Sequence, residues 1–213
     1  MLEVNLQEEA FIFHPSGALY CKRLQTLLIA DVHLGKIAHF RKHGSAIPQK
    51  AILKNFQQLK KVVNTFKPEK IYFLGDLFHS AFNTEFTYFK TWVQKQQADL
   101  TLIVGNHDII APTHFENLGI KVEKEIYLEN FLLTHHPEIR EGFFTICGHI
   151  HPGFRLRGMG KQHEKLPCFF KSKQQLILPA FGTFTGKYLM QQSESDQIYV
   201  CTETEVIPIP PKL

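Results

Sequence analysis

Between residues 49 and 66 apolar side chains recur at alternating steps of four and three: Ile52, Phe56, Leu59, Val63 and Phe66. That spacing predicts one amphipathic helix, opened just after Pro48 and stopped by Lys67 and Pro68. A second helix is expected over 84–97, and a short helix or turn near 112–117. Elsewhere the apolar runs are short and rich in β-branched and aromatic residues. The first three, "AFIFH", "ALYCKR" and "TLLIA", open the chain as antiparallel strands with a turn at Ser16 and Gly17. Further strands are expected at "KIYFLG", "LTLIVG", "IKVE", "NFLLTH", "FFTICG", "QLILPA" and "IYVCTETEVIPI". Helices alternate with strands early and strands dominate later. This order predicts a mixed α/β layered fold, with sheets packed together and helices outside. No repeat, low-complexity tract or linker interrupts it, so residues 1–213 are expected to form one domain.

Five of the apolar runs end in the same way. "IADVH", "FLGDLFH", "IVGNHD", "LLTHH" and "CGHIH" each pass from a strand into Asp, His or Asn, often just after a glycine. Ligand sites of α/β sheets gather at the carboxyl ends of strands, so the five endings are expected to converge on one cleft. Pooled, they offer Asp31, His33, Asp76, Asn106, His107, Asp108, His135, His136, His149 and His151. One such histidine would ordinarily be a core or surface residue; five clusters of one chemical type are better explained by a metal site. Carboxylate, imidazole and amide oxygen without cysteine suit manganese, iron or zinc rather than a thiolate structural site. The donors are too many for one ion with an open position. Two ions sharing a bridging carboxylate would use them, and that arrangement cleaves phosphoesters.

The order "DVH" (31–33), "GDLFH" (75–79), "GNHD" (105–108), a histidine after "FLLT" and "GHIH" (148–151) resembles the calcineurin-like metallophosphoesterase superfamily over roughly residues 26–152. The resemblance implies an α+β fold of four layers, a β-sandwich flanked by helices. It implies that Asp31, His33 and His151 hold one ion, that Asn106, His135 and His149 hold the other, and that Asp76 bridges them. In "LLTHHP" the family pattern favours His135 as the ligand and turns His136 to the cleft or substrate, although the residues alone leave the two open. "GDLFHS" carries His79 where the family block often has Asp, which leaves the bridging residue untouched. In "GNHD", Gly105 is expected to permit a tight turn, Asn106 to offer its oxygen to a metal, and His107 to face the substrate as the acid. Asp108 is expected either to accept a hydrogen bond from the His107 ring or to cap a helix at "IIAPTHF". Two cations would lower the pKa of a bridging water, so that hydroxide attacks the phosphorus in line while His107 protonates the departing oxygen.

Longer blocks narrow the resemblance. "DVHLGKIAHFRKHGSAIP" (31–48), "GHIHPGFRL" (148–156) and "LPAFGTFTG" (178–186) look like the bacterial ligase-associated DNA-damage-response endonucleases. This implies a manganese-preferring phosphodiesterase or nuclease acting on DNA, in partnership with a DNA ligase and a helicase. Net charge adds little, at +4 from 24 Lys and Arg against 20 Asp and Glu. Local clusters add more. Lys36 and Arg41 follow His33, and Arg155 follows His151, which predicts substrate contacts at the cleft rim together with His79 and His136. Phe40, Phe169 and Phe170, beside basic residues, either stack on bases or belong to the core. Two other functions compete: hydrolysis of small or lipid-linked nucleotides, and a non-catalytic scaffold. A scaffold would be expected to have damaged ligand positions, and these are filled. Four scattered cysteines without a CxxC pair, and no basic-then-apolar leader, lead us to expect a reducing cytoplasm. No apolar run approaches the roughly 18 residues of a membrane-spanning helix.

Overall fold

The computed structural model describes residues 1–37, 44, 50–79, 82, 84–157 and 163–210. Two mixed sheets pack face to face. In the first, β1 (Leu2–Leu6), β2 (Glu9–Phe13), β3 (Leu19–Cys21) and β4 (Thr26–Ile29) form an antiparallel meander. From β4 onward the pairing is parallel, through β5 (Lys70–Leu74) and β6 (Asp99–Ile103) to β7 (Lys121–Glu123). Helices α1 (Lys50–Phe66), α2 (Thr84–Val93) and α3 (Pro112–Glu116) lie in the connections. The second sheet runs β14 (Tyr188–Leu189), β11 (Pro152–Arg157), β12 (His163–Lys171), β13 (Gln175–Ile177), β10 (Phe144–Cys147), β9 (Phe131–Leu133), β8 (Ile126–Leu128). A hairpin of β15 (Gln197–Cys201) and β16 (Val206–Ile209) pairs with it through β12.

Strand alternation sorts the core into layers. Leu27 and Ile29 of β4 face the helices with Leu59, Val62, Phe89 and Phe115, while Leu28 and Ala30 face the second sheet with Phe131, Ile146 and Phe169. Helix α1 ends as its sequence requires: Lys67 has φ of 46° and Pro68 follows. The sandwich is the one expected, but its helical cover is one-sided. Among the described residues all three helices pack on the first sheet. The outer face of the second gathers its own strand side chains, including Cys168, Phe170, Ile177 and Val200, with Phe154, Leu156 and Ile209 packed on them. Helix α2 ends four residues short of expectation. Strands β1, β8, β11, β12 and β14 were not expected at all, and Phe169 and Phe170 on β12 are buried core, which removes them as base-stacking residues.

Candidate metal centre

Five parallel strand ends meet at one edge of the sandwich. The first sheet brings Asp31 and His33 after β4, Asp76 after β5 and Asn106 after β6; the second brings His135 after β9, and His149 and His151 after β10. The turns are sharp. Asp31, His33, Asp76, His149 and His151 have φ between 49° and 71°, a left-handed conformation that costs a non-glycine residue about 1–3 kcal/mol. Cross-links between loops hold them there. The His33 N–H donates to the Asp76 carbonyl (2.9 Å), that of His149 to Asp31 Oδ2 (2.9 Å), and that of His107 to Asp76 Oδ1 (2.9 Å).

Three glycines make room for this convergence. A Cβ at Gly75 would fall within 3.0 Å of the His135 ring, and one at Gly105 within 3.0 Å of Asp76 N and Oδ1. At Gly148 it would lie 2.5 Å from Asp31 Oδ2. Gly75 also has φ of 80°, whereas Gly105 does not lie in the left-handed region, so its absent side chain serves close approach rather than a turn.

The donor atoms then crowd together. His33 Nε2 lies 3.1 Å from His151 Nε2 and 3.7 Å from Asp76 Oδ2, and His151 Nε2 lies 3.4 Å from Asp31 Oδ1. Beside them His135 Nε2 is 2.9 Å from Asn106 Oδ1, 3.2 Å from His149 Nδ1 and 3.4 Å from Asp76 Oδ1. Such acceptor pairs attract only with a proton or a cation between them. Asp31 Oδ1 is buried without any hydrogen-bond partner, a cost that a cation would remove. Burial, with His151 and Lys36 nearby, pulls the His33 pKa down to about 2, and burial lowers His149, so both favour the neutral form that ligates metals. His135 Nδ1 lies 3.0 Å from the Leu74 carbonyl; a proton there leaves the Nε2 lone pair facing the cluster. The donor set fits hard or borderline divalent ions, in two neighbouring groups linked by Asp76 and Asp31.

The remaining expected residues divide. His136 is exposed, with its ring centroid 4.2 Å from that of His149, and its nitrogens fall among the possible ligands with His135 and His149. His79 lies 5.3 Å from His33 and 4.8 Å from the exposed ring of His107, centroid to centroid. Lys36 is half-buried within electrostatic reach of Asp76, and burial lowers its pKa. Arg155 stands on β11, leading away from His151. Arg41 and Phe40 lie outside the described residues. Asp108 departs from both expectations. Its Oδ1 accepts the Phe78 N–H (3.0 Å) and its Oδ2 the Gly105 N–H (2.9 Å), and no hydrogen bond joins it to the His107 ring. Nor does it cap α3, whose N-cap is Ala111. Burial pushes the Asp108 pKa up to about 6 against the pull of those two N–H groups.

A supporting residue escaped notice. Asn55 of α1 is buried; its Nδ2 donates to Val32 O (3.3 Å) and its Oδ1 accepts from Thr183 N (3.1 Å). It thereby ties the "DVH" turn to the loop at 181–183, where a Cβ on Gly182 would collide with Val32 O. Its position between Ile52 and Leu59 on the apolar stripe of α1 was the available signal.

The calcineurin-like phosphoesterase profile matches residues 24–175, a span that contains every donor above. The chain belongs to this family. As a calcineurin-like phosphoesterase it is a metal-dependent hydrolase of phosphoesters, of a kind that binds two ions. Its fold matches the crystal structure of a Pseudomonas putida nuclease, MPE, with a TM-score of 0.84 and 28% identity, over 98% of this chain and 99% of that one. A protein of unknown function from Aquifex aeolicus is more distant, at a TM-score of 0.43 and 17% identity over 64% and 82% of the two chains. So is the E. coli phosphoesterase YfcE, at 0.42 and 12% over 88% and 99%. No curated protein matches this calcineurin-like phosphoesterase by sequence.

Proposed function

We propose that the protein is a dinuclear, manganese-preferring phosphodiesterase that cuts DNA in the course of repair. The observation that carries this reading is the likeness to a nuclease at 28% identity over nearly the whole of both chains. In this reading Asp31, His33 and His151 hold one ion, Asn106, His135 and His149 the other, and Asp76 bridges; iron or zinc would suit the same donors. The ions would acidify bound water and draw off charge that builds on the phosphoryl oxygens. His107, exposed beside the donors, hands a proton from a ring nitrogen to the departing oxygen, a step worth about 10²–10⁴-fold. Asp108 acts at one remove, by holding the 105–108 loop on which His107 rides. His79, His136, Lys36, Arg41 and Arg155 contact the substrate. The same reading takes residues 1–213 as one cytoplasmic domain, with a DNA ligase and a helicase as working partners.

The test compares manganese-dependent hydrolysis of bis-p-nitrophenyl phosphate and p-nitrophenyl phosphate by chelator-stripped protein, with His107→Ala as control. Diester cleavage that needs the metal and falls at least 100-fold in the variant supports the proposal. Cleavage of the monoester alone would replace nuclease with phosphatase, and silence with every metal would favour a scaffold.

A further inference from the structure

Strand β11 begins immediately after His151 and pairs antiparallel with β12. Strand β12 has two halves. Cys168–Lys171 lie within the second sheet beside β15, buried except at Lys171, whereas 163–167 pair with β11 and are exposed or half-buried. Alternation places 163, 165, 167 and 169 on one side of the strand. Phe169 on that side enters the core between the sheets. Lys165 and Pro167 therefore continue the inward-looking face as its side chains become exposed.

On this face the charges are of one sign. Arg155 is directly opposite Lys165 in the register, and Gly153 is opposite Pro167. Like charges facing each other across a hairpin destabilise it. The neighbouring acid, Glu164, pairs with Leu156 and points to the other side. Neither Arg155 nor Lys165 has an ion-pair partner among the described residues. Arg23 and Arg140 differ sharply: the first holds Glu9 and Glu129, the second Glu125 and Glu138. A third cation joins at the near end. Lys187 lies across β11, so close that a Cβ at Gly153 would sit 2.8 Å from Lys187 Cβ. With His151, Pro167, Thr183 and Thr185 it lines a 230 Å³ pocket, in which the near end of this face and the donor His151 share a wall.

We propose that Lys187, Arg155 and Lys165 form a track for the sugar-phosphate backbone of a nucleic-acid strand, running from His151 along the β11–β12 hairpin. The four residue steps from His151 to Arg155 span about 13 Å, roughly four base steps along B-DNA. A mononucleotide diester at the centre does not reach Arg155, so the track selects polymers. The inference rests on the nuclease reading for what is cut, and on the hairpin alone for what is bound.

The experiment measures binding of a fluorescent 20-nucleotide single strand by anisotropy, in chelator, across a salt series. The wild type is compared with Arg155→Gln/Lys165→Gln/Lys187→Gln and with Lys60→Gln/Lys90→Gln/Lys95→Gln, which removes the same charge from α1, α2 and the turn after it. The track variant should bind roughly tenfold or more weakly, with a slope of log K against log salt about 2 units shallower, while the helix variant stays near wild type. Equal losses in both variants, wild-type behaviour of the track variant, or no binding by the wild type would each overturn the track. Hydrolysis of bis-p-nitrophenyl phosphate by the wild type is read separately. If it is cut while the track variant binds normally, the track falls and the proposed function stands. If it is not cut while the predicted binding loss appears, the track stands and the proposed function falls.

Discussion

A single methyl group probes the centre at Gly105. Alanine there would drive its Cβ into the backbone nitrogen of Asp76 and into its Oδ1, a buried side-chain oxygen held by the His107 N–H. Overpacking of this kind costs about 1–3 kcal/mol, so Gly105→Ala should still fold. Displacement of Asp76 should nevertheless lower metal affinity by about 10–100-fold. Metal content per chain after gel filtration and the rate on a diester substrate would both fall while circular dichroism is retained. The seven ligand candidates were legible in the sequence because each follows an apolar run, but the part played by Gly105 was not. Its flanking residues suggested a turn, and only the fold reveals that a carboxylate from a neighbouring strand occupies the space.

The loops at the strand ends act as elements in their own right, and Asp108 braces two of them. One oxygen holds the backbone at Phe78 after β5, and the other holds Gly105 after β6. Asp108→Asn leaves one acceptor and turns an N–H₂ group on a backbone N–H, so it should cost about 1–3 kcal/mol in denaturant titrations. Because the brace does not touch the His107 ring, diester turnover should drop while the shape of its pH profile is kept. Legibility at this scale followed periodicity. Helix α1 was plain because its stripe repeats over seventeen residues and ends in Lys67 and Pro68. The β11–β12 hairpin was hidden because its outer half lacks a second sheet to face. Arg155 and Lys165 occupy positions where alternation would otherwise require apolar residues, so the segment reads as a charge cluster.

At the scale of the molecule, the centre joins the two sheets, since β4, β5 and β6 contribute donors from one and β9 and β10 from the other. Ions held there would stabilise the packed sandwich. At manganese about 100-fold above its dissociation constant the gain is about 2.7 kcal/mol, or roughly 5–10 °C in Tm for a chain of this size. Differential scanning fluorimetry should record that rise, its reversal by chelator, and a smaller rise in His135→Ala. The sandwich was legible from the order of strands and helices, whereas the one-sided helical cover was not. Short strands do not reveal which outer face a helix will take, and the second sheet covers its own with Phe154, Leu156 and Ile209. The glycines next to the donors carry a last implication. Gly75 makes room for His135, Gly105 for Asp76 and Gly148 for Asp31, so the glycine of each segment serves a donor from another. The segments are therefore not interchangeable modules. A chimera that imports one of them from a relative inherits a gap cut for a neighbour it left behind, and recombination would preserve the centre only where the whole ring is exchanged together.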